Sequence, residues 1–399
     1  MTGCHHQRVG MNRVLFPGES QGLCPNEHTM PKMFKDAGYA TMMVGKWHLG
    51  DQNAFLPTKF GFDSYYGLPY SNDMGAQEGG ISVFDSVPLP LLLDDEVISQ
   101  QPDQRALTER YAEKCVEFVR KNKSNPFFLY FAQMHVHLPL YAADRFVKES
   151  ANGDFGACVA SLDWACGAIM RELETLGLIE DTLIIFTSDN GARGDYGSSN
   201  APLRGSKFST WEGGLRVPCI ISWEGRIKPG ENDGIFSNID LLPTLASIAC
   251  GRLGGKKIDG LDFSPTLLNG APSPRSEFVY CQSSVRRESE AKKGTGGIEA
   301  VRRGRWKLHL YKNGESVKLL YDLEADAAES VNLYDENAKV AAEFTEIFES
   351  YRRELGDGYT GTIGEGVRGC GFVPNPVPLT VYDPDHPYIC ALYDKSERG

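Results

Sequence analysis

The sequence predicts an α/β protein with a smaller α+β domain behind it, and three observations carry that prediction. Apolar strand-like runs alternate with helix-period segments to about residue 270, the pattern of a doubly wound sheet. Past the Pro/Ser-rich Gly270-Ala271-Pro272-Ser273-Pro274 the pattern changes to hairpin-like strands and one amphipathic helix. The run Leu183-Ile184-Ile185-Phe186 ends in Thr187-Ser188-Asp189-Asn190-Gly191, so a buried strand delivers a carboxylate and a carboxamide to its carboxyl end. Ligand sites of open α/β sheets lie at that end.

Taken in order, residues 29–37 read as a short helix stopped by Gly38, and 39–44 as the first convincing strand. Residues 104–122 place Leu107, Tyr111, Cys115, Phe118 and Val119 on one helical face. The continuous apolar run 127–134 is the mark of a parallel strand buried on both sides. Residues 155–176 carry Val159, Leu162, Cys166, Ile169, Met170 and Leu173 at helical spacing, with Gly177 as the stop. Strands are expected at 183–187 and 217–223, both buried, and a helix at 239–250. Residues 1–270 form the main domain. In 271–399, strands at 298–311 and 317–321 and a helix at 337–355 form the second domain, followed by a loop-rich tail from Gly356.

Composition sets outer limits. The chain has 399 residues, 41% hydrophobic and 24% charged, enough for a main core and a smaller one. Its net charge of −12 and lack of a basic stripe exclude nucleic acid as a partner. An anionic substrate must then be drawn in by a local cluster of cations. No apolar run reaches the ~20 residues of a membrane span. The ten cysteines include no Cys-x-x-Cys pair, which argues against zinc.

Polar residues recur where strands end. Gly45-Lys46-Trp47-His48-Leu49-Gly50 puts Lys46 and His48 on one side if the segment stays extended. His135-Val136-His137-Leu138-Pro139 follows the 127–134 strand, and for its two histidines metal binding, packing and catalysis are comparable readings. Leu203-Arg204-Gly205-Ser206-Lys207 adds a further cation. Taken singly, Asp189-Asn190 fits an Asx-type turn, Lys46 and His48 fit a turn, and Lys207 fits a solvated surface. Together, convergent cations beside hard oxygen donors, which suit Ca²⁺ or Mg²⁺, describe a site for a tetrahedral oxyanion next to a divalent metal.

These segments, with Pro126-Phe127-Phe128-Leu129-Tyr130, Glu212-Gly213-Gly214-x-Arg216-Val217-Pro218, Leu320-Tyr321-Asp322-Leu323 and Tyr70-Ser71-Asn72-Asp73, occur in the order seen in type I sulfatases. Over residues 1 to about 333 the chain resembles the arylsulfatase A and galactosamine-6-sulfatase branch. The resemblance implies an alkaline-phosphatase-like α/β fold and hydrolysis of sulfate esters of small molecules, glycans or glycolipids. It implies a formylglycine nucleophile, made from the cysteine of a Cys-x-Pro-x-Arg motif. Asp189 and Asn190 become ligands of Ca²⁺, ahead of Mg²⁺. Lys46, Lys207 and His137 bind sulfate oxygens, with His137 or Lys207 helping to protonate the leaving oxygen. His48 becomes the base that expels sulfate, and Ser71 contacts substrate at the rim. Family members are commonly lysosomal, periplasmic or secreted.

One departure stands out. The family's Leu-x-Thr-Gly-Arg segment survives here as Thr2-Gly3-Cys4, with Cys4 at the arginine's position and followed by His5-His6-Gln7. The nucleophile motif is therefore expected just before Met1, and the strand bearing paired metal-binding aspartates further upstream. The 399 residues are expected neither to turn over sulfate esters nor to be highly soluble. Two other readings accompany this one: a phosphodiesterase or phosphonate hydrolase of the same superfamily, and a non-catalytic protein that binds sulfated glycans.

Overall fold

The computed structural model describes residues 1–76, 87–283, 296–388, 395 and 397. The short strand β1 (Gln21–Gly22) comes first, then helix α1 (Met30–Asp36), whose early Pro31 pre-sets its first turn. Strands β2 (Ala40–Lys46) and β3 (Ser64–Leu68) run parallel, with Met42 opposite Ser64 and Lys46 opposite Leu68. A hairpin of β4 (Pro90–Leu93) and β5 (Glu96–Gln100) adds antiparallel to β3. Helix α2 (Leu107–Lys121) leads to β6 (Phe127–Ala132), which lies parallel on the other side of β2 with Ala40 opposite Phe127. The resulting sheet has the order β5-β4-β3-β2-β6.

Its two faces are covered differently. Leu107, Tyr111, Cys115 and Phe118 of α2 pack on Met42, Val44, Tyr66 and Leu68. On the opposite face Phe34 of α1 stacks on Phe128 of β6 at 4.4 Å. Helices α3 (Asp144–Glu149) and α4 (Gly153–Thr175) follow, and α4 packs beside α2. Next come β7 (Ile184–Thr187), the single-turn α5 (Glu212–Leu215) and β8 (Cys219–Ser222).

Here the structure corrects the sequence reading. β7 and β8 pair antiparallel as a separate two-stranded sheet, and β6 is an edge strand rather than one buried on both sides. Phe186 is 39% and Ile220 63% exposed. Val159 and Met170, on the predicted apolar stripe of α4, are also exposed. Phe128 of β6 and Ile185 of β7 nevertheless border one apolar cluster, built from α1 and helix α6 (Leu241–Ile248). Two strand edges thus line the same cluster without pairing to each other.

After α7 (Ser264–Asn269), strands β9 (Glu277–Gln282), β10 (Gly297–Arg303), β11 (Trp306–Lys312) and β12 (Glu315–Asp322) form an antiparallel sheet. Helix α8 (Ala338–Leu355) buries Phe344, Ile347, Phe348 and Leu355 against Val279, Ile298, Leu308 and Leu320. The strand β13 (Gly371–Phe372) pairs antiparallel with β1 as a separate two-stranded sheet, so the tail returns to the N-terminal segment. Buried Arg8 joins the same region by ion pairs to Asp259 and Glu354, both at 2.7 Å.

Candidate active site

Parallel pairing brings the carboxyl ends of β2, β3 and β6 to one edge. Past β2 the pairing continues through Trp47 N–H to Leu68 O and His48 N–H to Pro69 O, both 3.0 Å. Trp47 turns into the core, where its indole donates to Phe55 O at 2.7 Å. Gly45 has φ 114°, and a Cβ there would collide with the carbonyl of Ala132 on β6. Only glycine lets the two strands approach this closely at the site.

The predicted side chains converge. Lys46 Nζ donates to Ser71 Oγ at 3.3 Å, and Ser71 Oγ lies 3.3 Å from His137 Nδ1. His137 Nδ1 lies closer, at 2.7 Å, to Leu138 O, so Nδ1–H donates to that carbonyl and Nε2 carries the lone pair. His48 Nε2 sits 2.9 Å from Leu15 O, which by the same reasoning leaves Nδ1 bare. His48 adopts φ 63°, so the extended segment expected there ends one residue early. The His135/His137 pair also departs from an extended chain. The backbone turns, with His137 N–H bonded to Met134 O at 3.1 Å, and His135 is buried at 2% exposure.

Asp189 and Asn190 follow β7 in a local turn. Asn190 N–H donates to Asp189 Oδ1, and Asn190 Nδ2 to Gly191 O, both at 2.9 Å. An Asx-turn would bond the Asp189 carboxylate to the Gly191 N–H, which instead donates to Gly214 O, so the bend is held differently, and Asp189 Oδ2 and Asn190 Oδ1 are the donors left for a metal. Among the described residues no group of three or more His, Cys, Asp or Glu is arranged to hold one. Ca²⁺ takes about 6–8 oxygen ligands, so these two residues do not make a Ca²⁺ site by themselves.

The loop bearing Lys207 is fastened to that turn. Lys207 N–H donates to Ala192 O at 3.0 Å, Gly191 N–H to Gly214 O at 2.9 Å, and Gly213 N–H to Arg204 O at 2.8 Å. Behind it lies a buried charge network reaching into the second sheet. Lys307 Nζ is 2.9 Å from Glu212 and 3.0 Å from Glu329. The Glu212 N–H donates to Glu329 Oε2, and Arg204 to Glu329 O, each at 2.7 Å. The C-terminal sheet therefore fixes where Lys207 stands.

Electrostatics tie the group together. Burial pushes the His137 imidazole down to about 2, with Lys46 and Lys207 adding to the effect. Burial and Lys46 push His48 down to about 3. Burial also lowers Lys46 and Lys207, while Asp189 and Asp73 oppose the shift on both. Lys46, His48, His137, Asp189 and Lys207 thus belong to one interacting set, with Ser71 between Lys46 and His137. Asp73, two residues past Ser71 and 6% exposed, is an addition. The sequence places it at the end of β3, but nothing there assigned it a role.

Two ammonium groups, two neutral imidazoles and two carboxylates thus interact at the strand ends of an α/β sheet. The family model described as Sulfatase matches residues 1–251, and that for the C-terminal part of N-sulphoglucosamine sulphohydrolase matches residues 206–354. The chain belongs to the sulfatase family, the sulfuric ester hydrolases. Human (Homo sapiens) arylsulfatase A is 35% identical over 84% of this chain and 72% of its own length. N-acetylgalactosamine-6-sulfatase of Mus musculus is 34% identical over 78% of this chain and 60% of its own. The crystal structure of Ps i-CgsB in complex with k-i-k-neocarrahexaose superposes with a TM-score of 0.75 at 26% identity, covering 88% of this chain and 80% of that one. The fold is accordingly the alkaline-phosphatase-like one, with the sulfatases as structural neighbours. Among the described residues no helix is long and apolar enough to cross a membrane.

Proposed function

We propose that these residues are the sulfate-binding and proton-handling part of an enzyme that hydrolyses sulfate esters through a formylglycine nucleophile. The observation that carries this reading is the single cluster of Lys46, Ser71, His137 and Lys207 beside Asp189. Lys46 and Lys207 offset the charge on the non-bridging oxygens, a stabilisation that grows as charge moves outward in the transition state. His137 is neutral at working pH, so it orients an oxygen rather than donating a proton from an imidazolium. Lys207 keeps its proton but holds it less tightly than a solvated lysine, which makes it the better donor to the leaving oxygen. His48 is neutral with a bare nitrogen, the state that a base requires.

Asp189 and Asn190, with further carboxylates, would hold Ca²⁺, which would polarise the sulfate toward a formylglycine hydrate. We place both the nucleophile and the missing carboxylates on an additional strand between β6 and β7. Support comes from two edges that line one apolar cluster, and from Phe186 and Ile220 left exposed on β7 and β8. The test compares residues 1–399 with a form carrying an upstream Cys-x-Pro-x-Arg segment and strand, on 4-nitrophenyl sulfate and bis(4-nitrophenyl) phosphate. The shorter form is expected to be inactive on both, and the longer one to prefer the sulfate. Preference for the phosphate diester would favour the phosphodiesterase reading. Failure of both forms to turn over either ester would favour a binding protein.

A further inference from the structure

Phe208 stands out on the loop that positions Lys207. It has φ 70°, a left-handed conformation that is an outlier for a bulky side chain, and its side chain is 46% exposed. Such strain persists where the surroundings over-determine it, and it clusters at ligand sites. The surroundings here are explicit. Ser209 N–H donates to Ser206 O at 3.0 Å, and the next aromatic, Trp211, is clamped inside by the Arg204 guanidinium at 3.8 Å and the His309 ring at 4.6 Å. The loop therefore holds one aromatic, half-buried, against its neighbours and the other out. The Phe208 ring lies 4.9 Å from Lys207 Nζ, the ammonium read above as a sulfate ligand. An ester whose sulfate engages that ammonium has its organic group within reach of the ring.

We propose that Phe208 is a specificity-determining wall of this site, against which a six-membered ring bearing the sulfate ester stacks. The inference rests on Lys207 being a sulfate ligand. The shared chemistry is a ring with an apolar face joined through the ester oxygen, either aromatic or saturated as in a pyranose. Offset stacking on an aromatic face favours either over an acyclic ester.

Calorimetric titration of residues 1–399 with inorganic sulfate, methyl sulfate, phenyl sulfate and cyclohexyl sulfate tests it. Phenyl or cyclohexyl sulfate is expected to bind about tenfold tighter than methyl sulfate. A gain confined to phenyl identifies an aryl site, and an equal gain for cyclohexyl identifies a saturated ring. In Phe208→Ala the gain disappears while the Kd for inorganic sulfate stays within about twofold. Phe208→Gly, which relieves the backbone strain, behaves alike, and Phe208→Tyr keeps the gain. Equal binding of methyl and ring sulfates, or a gain that survives Phe208→Ala and Phe208→Gly, overturns the proposal. Absence of inorganic sulfate binding instead removes the assignment of Lys207, and the proposal with it.

Discussion

Replacing Lys307 with methionine tests how the second sheet holds the site. The lysine has no exposed surface and lies 2.9 Å from Glu212 and 3.0 Å from Glu329, whose side chains are 3% and 0% exposed. Lys307→Met keeps the volume and removes the ammonium that, among the described residues, touches both carboxylates. Glu212 then retains the Tyr280 hydroxyl at 2.7 Å and Arg302 at 3.4 Å. Glu329 retains His309 Nε2 at 3.1 Å and the Glu212 N–H. Breaking a buried ion pair by removing one partner costs about 3–5 kcal/mol, against a domain stability of about 5–15 kcal/mol. Burial alone would raise the Glu212 carboxyl, but Lys307 and Tyr280 hold it below the ordinary value. A depressed carboxylate contributes stability above its unfolded pKa and loses it as pH falls through the folded one. The difference between wild type and variant should therefore be largest near pH 7 and shrink below about pH 4.5, the ordinary glutamate value. Urea unfolding at pH 7.5 and pH 4 measures both. A loss under about 1 kcal/mol, or a loss equal at the two pH values, would refute the reasoning. Lys307→Met with Glu212→Gln should recover part of the loss.

Other outcomes follow from the same geometry. Gly45→Ala, forced to φ 114° against the Ala132 carbonyl, should lose at least about 2 kcal/mol in urea unfolding. His48 and His137 have folded values of about 3 and 2, below their unfolded value. Each then contributes stability above pH 6.5 that is lost as pH falls toward those values, so unfolding free energy should drop by several kcal/mol between pH 7.5 and pH 4.5. Raising pH should weaken sulfate binding sooner than an ordinary lysine value of 10.5 would suggest, because Lys46 and Lys207 are both lowered. Ca²⁺ at about 0.1 mM should leave the Tm unchanged, since two oxygen donors support at best millimolar affinity. A clear Tm rise would show a more complete metal site.

The strand ends were legible because chemistry and punctuation coincide there: Gly45 and Gly50 flank Lys46 and His48, and Asp189-Asn190 closes an apolar run. The helices α2 and α8 followed from their apolar faces. The β4–β5 hairpin was missed because Leu89-Pro90-Leu91-Leu92-Leu93 shows no alternation and contains a proline. Residues 77–86, shortly before it, lie outside the described residues. β9 was too short to separate from the Pro/Ser-rich segment before it. The stripe on α4 was read correctly as apolar, but periodicity reports the tendency to bury, not the partner that does the burying. Val159 and Met170 face solvent. Asp73 went unassigned because a carboxylate after a serine in a turn has no signature of its own. Its part in the site emerges only through its charge, which opposes the lowering of Lys46, His48 and Lys207.

The most direct measurement is a calorimetric titration of inorganic sulfate into residues 1–399, repeated on Lys46→Met and Lys207→Met. One sulfate per chain should bind the wild type, with each variant weakening it about tenfold or more while its urea midpoint stays close to wild type. Binding that ignores both substitutions, or no binding at all, would contradict a shared oxyanion pocket at these strand ends.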